Sequence, residues 1–182
     1  MRTIVEEGQR NMVIMDVFSK LIQKRIIFID GSIDEELSNQ VIAQMLYLDS
    51  IGQKEINIYI NSYGGSVLDG LAIYDTAKLL NSPIRTVCVG KACSMGFLLM
   101  LMGQTRCATK NARLMIHSLS GGNYGTLEDM KITYEEVSKL QEILNNIILE
   151  NTKLTNLEEY LKFDKWMGSE EALELGVITE IL

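Results

Sequence analysis

The chain has 182 residues, enough for one domain with a substantial core, and 47% of them are hydrophobic with a single proline, which excludes a disordered or proline-linked protein. A net charge of -7, with no basic run of five or more residues, argues against nucleic acid or an anionic membrane as partner. The three cysteines, Cys88, Cys93 and Cys107, sit in apolar surroundings without metal-ligand spacing, so buried free thiols in a reducing compartment are expected.

The N-terminal MRTIVEEGQRN is polar and charged where a secretory signal needs an apolar core. The longest uncharged apolar stretch, Ala92 to Thr105, has 14 residues, short of the roughly 18 a spanning helix requires. A soluble, cytoplasmic protein is expected.

After the polar arm, DVFSKLIQKR (Asp16 to Arg25) reads as a short helix with Asp16 as its N-cap. RIIFI (Arg25 to Ile29) is a continuous β-branched and aromatic run, hence a buried strand, closed by the turn Asp30-Gly31. IDEELSNQVIAQMLYLDS then carries apolar residues at helical spacing, from Leu37 through Val41, Met45 and Leu48. EINIYI (Glu55 to Ile60) alternates as a strand, NSYGGS breaks it, and VLDGLAIYDTAKLL resumes a helix. IRTVCV (Ile84 to Val89) is the next strand and leads into GKACSMGFLLM. RLMIH (Arg113 to His117) is a strand whose end carries the one histidine of the chain, followed by the flexible SLSGGNYG. Thr126 to Asn151 forms one helical pattern of 26 residues, about 39 Å at ~1.5 Å each, more than a small core needs. Such a helix either projects to meet a partner or lies across its own domain. Strands alternating with helices predict an α/β domain with a largely parallel sheet, and no internal repeat or linker divides it.

Ser94, between Gly90 and Gly96, admits two readings: the cap of a buried helix, or a nucleophile among unpaired backbone N–H groups. Cys93 beside it is a second candidate nucleophile. The base on offer is His117, which like Ser94 lies just beyond a strand, where parallel α/β folds gather their functional groups. Gly64-Gly65, after another strand, gives backbone able to approach a ligand closely, and its N–H with that of Met95 would form an oxyanion hole. Candidates for the orienting acid include Glu128, Asp129, Glu158, Glu159, Asp164, Glu170 and Glu171, and spacing does not choose among them. The G-x-S-x-G elbow of α/β-hydrolases is not signalled, because Ala92 stands two residues before the serine.

Six ordered blocks resemble the ClpP family, the proteolytic subunits of Clp proteases, over nearly the whole chain, from about Ile4 to Leu182. They are DVFSKLIQKRIIFIDGSID, VIAQMLYLD, IYINSYGGSVLDGLAIYDT, TVCVGKACSMGFLLM, ARLMIHSLSGG and SEEALELGVITEIL. The resemblance implies the ClpP/crotonase-like spiral of ββα units, with an axial arm over 1–15, a peptidase domain over 16–182 and a handle helix near 126–151. It places the family's serine on Ser94, its histidine on His117 and its aspartate on Asp164, with oxyanion amides at Gly65 and Met95. Gly121 and Gly122 would lie beside the substrate groove. It further implies two stacked heptameric rings enclosing a chamber, and an AAA+ unfoldase of the ClpX, ClpA or ClpC type that feeds unfolded polypeptides into it. The docking cleft for that partner would include Leu46, Tyr47, Tyr59, Leu79, Val87 and Val89. No cofactor is implied, since ATP is used by the partner alone.

Against the family's pattern, Tyr63 replaces proline in NSPGGS, Ser118 and Leu119 replace Gln-Pro in HQPLGG, and Cys93 replaces alanine before the nucleophile. Phe163 stands where an arginine commonly precedes the aspartate, and Asn57 where the docking cleft often has an aromatic ring. These departures leave room for a weakly active or non-catalytic subunit of a mixed assembly. A crotonase-type acyl-CoA enzyme is the remaining alternative, disfavoured by the Ser/His pair.

Overall fold

A computed structural model describes residues 3–7, 12–122 and 124–182. Strands β1 (Thr3–Glu7) and β2 (Met12–Asp16) pair antiparallel as a separate two-stranded ribbon. The rest of the expected arm, Met1, Arg2 and residues 8–11, lies outside the described residues.

Helix α1 (Val17–Ile22) starts where its cap dictates: the Asp16 carboxylate accepts the Ser19 N–H at 3.0 Å. The turn that follows it ends at Arg25, which sits in the left-handed region at φ 61. The guanidinium of Arg25 recovers that cost through bonds to the carbonyls of Leu48 (2.9 Å) and Lys54 and to Ser82 Oγ, tying the turn to two later connections.

The main sheet follows the order β3 (Ile26–Ile33), β4 (Ile56–Gly65), β5 (Ile84–Cys93), β6 (Thr105–Ala108), β9 (Glu180–Ile181). All of these neighbours pair parallel, as strand–helix alternation predicts. Helices α2 (Glu35–Ser50) and α3 (Val67–Leu79) connect them and pack on each other. Asp34 and Ser66 cap these helices through the N–H groups of Leu37 and Asp69. Ile27, Ile29, Ile58, Ile60 and Ile84 point from the strands into a core shared with Val41, Met45, Leu48 and Ile73.

Strands β3 and β4 run further than the sequence predicts. Asp30-Gly31 does not close β3, nor does NSYGGS break β4; both continue to Ile33 and Gly65. Register shifts at Gly31/Ser32 and between Ile60 and Ser62 absorb the turn-forming residues as bulges, so pairing resumes beyond them.

Strand β5 is forked. Its first half, Arg85–Cys88, pairs with β6, and its second half, Lys91–Cys93, pairs with β7 (Arg113–Ile116). Gly90, at φ 85, makes the bend between the halves, a conformation that L side chains rarely adopt. β7 in turn pairs antiparallel with β8 (Lys165–Gly168). The short buried helix α4 (Met95–Met100) follows β5 directly.

Helix α5 (Leu127–Asn151) is capped reciprocally by Thr126 and Asp129. It buries Leu144, Ile147 and Ile148, all in its second half, whereas Leu127, Ile132 and Tyr134 of its first half are exposed. Helices α6 (Leu157–Leu161) and α7 (Ser169–Glu174) flank β8 and complete the chain. No helix among the described residues is long and apolar enough to cross a membrane.

Candidate active site

The fork in β5 explains how two residues distant in sequence meet. Because β5 and β7 are parallel and in register through Cys93↔Met115, their carboxyl ends finish side by side. Ser94 follows one end and His117 the other. The Ser94 N–H donates to the Met115 carbonyl at 2.9 Å, which locks the two ends together. Ser94 Oγ then lies 2.8 Å from His117 Nε2.

Ser94 occupies the N-cap position of α4 but makes no side-chain capping bond, so the helix-cap reading of this serine is overturned. Its backbone has φ 52 and ψ -121, a region that costs an L-residue roughly 1–3 kcal/mol. The strained strand-to-helix corner is therefore present although the G-x-S-x-G pattern is not. The surrounding structure holds it: the Ser94 carbonyl accepts from Phe97 N and Leu98 N. Gly96 sits where a Cβ would come 3.2 Å from the Ser62 carbonyl oxygen. Glycine at 96 leaves room for that close approach.

Gly64 packs directly on this corner. A Cβ there would fall 2.8 Å from both Cys93 O and Ser94 Cβ and 3.0 Å from Met95 N, and its φ of 104 suits glycine alone. Gly65 runs against the backbone of Ile33 and lines the same cleft as Ser94, Met95 and His117. The Met95 N–H opens α4, where no carbonyl within the helix can accept it. Val67, Phe97, Leu98, Leu144 and Ile148 form the apolar part of that cleft, and Ser118, Leu119, Ser120 and Gln141 its more polar wall.

Cys93 adjoins the serine but is fully buried, and desolvation pushes its thiol up despite Lys91 nearby. Cys88 is pushed up to about 12 by the same cause. Both stay neutral thiols at physiological pH, and Cys107 is likewise a buried free cysteine. No group of three or more potential metal ligands occurs among the described residues.

The other sequence-derived residues scatter more. Asp164 is exposed and makes no hydrogen bond with His117. The β7–β8 pairs run from Arg113↔Gly168 to Ile116↔Lys165, and His117 and Asp164 are the residues just beyond the last pair. Gly121 and Gly122, with Met130, Thr133, Tyr134 and Val137, border an apolar hollow beside α5 that adjoins the Ser94 cleft through Leu119. Leu46, Tyr47 and Leu79 are exposed, Tyr59 and Val89 half-buried, and Val87 is only 2% exposed, packed within the chain itself.

A family model for Clp protease matches residues 8–182. The chain belongs to the Clp protease family. The parallel-dominated α/β sheet with its helices is the ClpP fold, and at the level of the family the chain is a ClpP-type peptidase. Two features of this Clp-type site escaped sequence reasoning. The strained serine is not signalled by the elbow pattern because Ala92 stands where that pattern has its first glycine. Gln141, on the wall of the cleft, sat unremarked in the middle of a long helix.

Proposed function

We propose that the chain is a serine endopeptidase in which Ser94 is the nucleophile and His117 its general base. The observation that carries this reading is the 2.8 Å contact between Ser94 Oγ and His117 Nε2 at a strained strand-to-helix corner. Ser94 Oγ attacks the scissile carbonyl while His117 Nε2 takes its proton. The N–H groups of Gly65 and Met95 hold the developing oxyanion. His117 returns the proton to the leaving amine, and water then hydrolyses the acyl-enzyme by the same route in reverse. Asp164, which follows directly on the last β7–β8 pair as His117 does, takes the orienting role toward Nδ1 that the resemblance implies. This chemistry draws on no cofactor.

The family match supports a working form of two stacked heptameric rings, fed with unfolded polypeptide by an AAA+ unfoldase that alone spends ATP. The exposed apolar first half of α5 suits a handle between rings, and exposed Leu46, Tyr47 and Leu79 suit a docking cleft for that partner. The ribbon of β1 and β2 suits the axial arm, and residues 16–182 the peptidase domain.

One observation favours a second reading, a weakly active subunit of a mixed assembly: Asp164 makes no hydrogen bond with His117. Hydrolysis of a short fluorogenic peptide by the purified protein separates the two. Turnover by wild type and none by Ser94→Ala supports the peptidase; no turnover until a paralogous subunit is added supports the mixed assembly.

A further inference from the structure

The loop that follows His117 is clamped on two sides within two residues. Ser118 donates both its N–H (3.3 Å) and its hydroxyl (2.9 Å) to the Leu161 carbonyl. Leu119 donates its N–H to Gln141 Oε1 at 2.7 Å. The far end of the same carboxamide is occupied too, because Gln141 Nε2 donates to Asn145 Oδ1 at 2.8 Å. The orientation of the Gln141 amide is thereby determined: the atom facing a backbone N–H must be the oxygen. Asn145, one turn further along α5, fixes the side chain in that pose. Leu119 is two residues from His117, so at most about 7 Å of extended chain separates their Cα atoms.

Gln141 also stands where α5 changes character. Towards the N-terminus the helix exposes Leu127, Ile132 and Tyr134; towards the C-terminus it buries Leu144, Ile147 and Ile148. Gln141 thus lies at the transition between the two halves, with a side chain that reaches the cleft. A proline at position 119 would have no N–H to offer, so the need for an acceptor arises from Leu119 itself.

We propose that Gln141 is a positioning residue of this site, holding the loop after His117 through the Leu119 N–H and so keeping the imidazole at hydrogen-bond distance from Ser94. The catalytic part of this inference rests on the peptidase reading above; the clamp does not. Without the acceptor, the loop N–H must find water or leave the helix, and His117 drifts from Oγ. Proton transfer is steeply sensitive to such drift, whereas binding of a peptide to the apolar part of the cleft is not.

The test uses the full chain with Gln141→Met, which keeps length but no strong acceptor, and Gln141→Glu, which keeps an oxygen for Leu119. Two readouts are needed: amide hydrogen exchange over residues 117–121, and the rate of Ser94 phosphonylation by a fluorophosphonate. Gln141→Met is expected to exchange at least tenfold faster at the Leu119 amide and to be phosphonylated at least tenfold more slowly. Gln141→Glu should retain a third or more of the wild-type labelling rate. Unchanged exchange in Gln141→Met, or equal losses in both variants, would overturn the clamp. Faster exchange with an unchanged labelling rate would overturn its catalytic role. Absence of labelling in the wild type would count against the peptidase reading, while exchange still decides the clamp.

Discussion

Ser94 and His117, 23 residues apart, are brought to 2.8 Å because one strand pairs with two others in succession. β5 leaves β6 at the Gly90 bend, joins β7, and ends level with it. The sheet thus sets the two chain ends side by side, and the loop after His117 has still to hold the imidazole toward the serine.

Strain at Ser94 makes a stability prediction. Its φ of 52 and ψ of -121 favour glycine, so Ser94→Gly should be more stable than Ser94→Ala by about 1–3 kcal/mol, less glycine's entropy cost of roughly 0.5–1 kcal/mol. Both variants should lack peptidase activity. Chemical denaturation of the two proteins side by side checks the difference; equal stability would mean that the corner is relaxed in solution.

Gly64→Ala should damage the site without touching a reacting atom. Its new methyl would press on Cys93 O, Ser94 Cβ and Met95 N, at once displacing the nucleophile and an oxyanion donor. Losing one such donor typically costs ~10²–10³ in rate, and a loss of that size in kcat is expected. Steady-state peptide hydrolysis with a thermal melt measures both the rate and the strain.

The cysteines should be silent. Cys88, Cys93 and Cys107 are buried and their thiols are pushed up by desolvation, so a maleimide should modify none of them in the native protein. Intact mass before and after denaturation reads this directly. Cys93→Ala, the small residue that the family's pattern carries there, should keep its nucleophile at Ser94.

Acid should weaken the start of α5. The Thr126 hydroxyl and backbone N–H hold the Asp129 carboxyl below its ordinary value of 3.8. A depressed carboxylate contributes stability that is present above the unfolded value and lost as pH falls through the lower folded one. Wild type should therefore lose stability relative to Asp129→Asn on going below about pH 3.8, with the gap between them narrowing. Melting temperatures at pH 7 and pH 3 test the sign.

Much of this was legible in the sequence because it is local. The helix cap at Asp16 and the apolar periodicity of α2, α3 and α5 are short-range signals, and the structure reproduces them. The placement of Ser94 and His117 beyond strand ends followed from the same signals. What was not legible is what pairing at a distance creates. β6 is a four-residue strand, Thr105–Ala108, with no alternation of its own, formed by hydrogen bonds to β5 and β9. β3 and β4 outrun their turn-forming residues because each gives the other a partner beyond the bulge. Asp164 could not be told from six other acids by spacing, and because the β7–β8 pairing stops one residue short of it and of His117, its role rests on the resemblance to the family.

The central claim is that Ser94 is an activated nucleophile. Intact-mass analysis after treatment with a fluorophosphonate tests it most directly, with Ser94→Ala as control. A single adduct on the wild-type chain, absent from Ser94→Ala, is the predicted result. An unmodified wild-type chain, or an adduct that persists in Ser94→Ala, would contradict it.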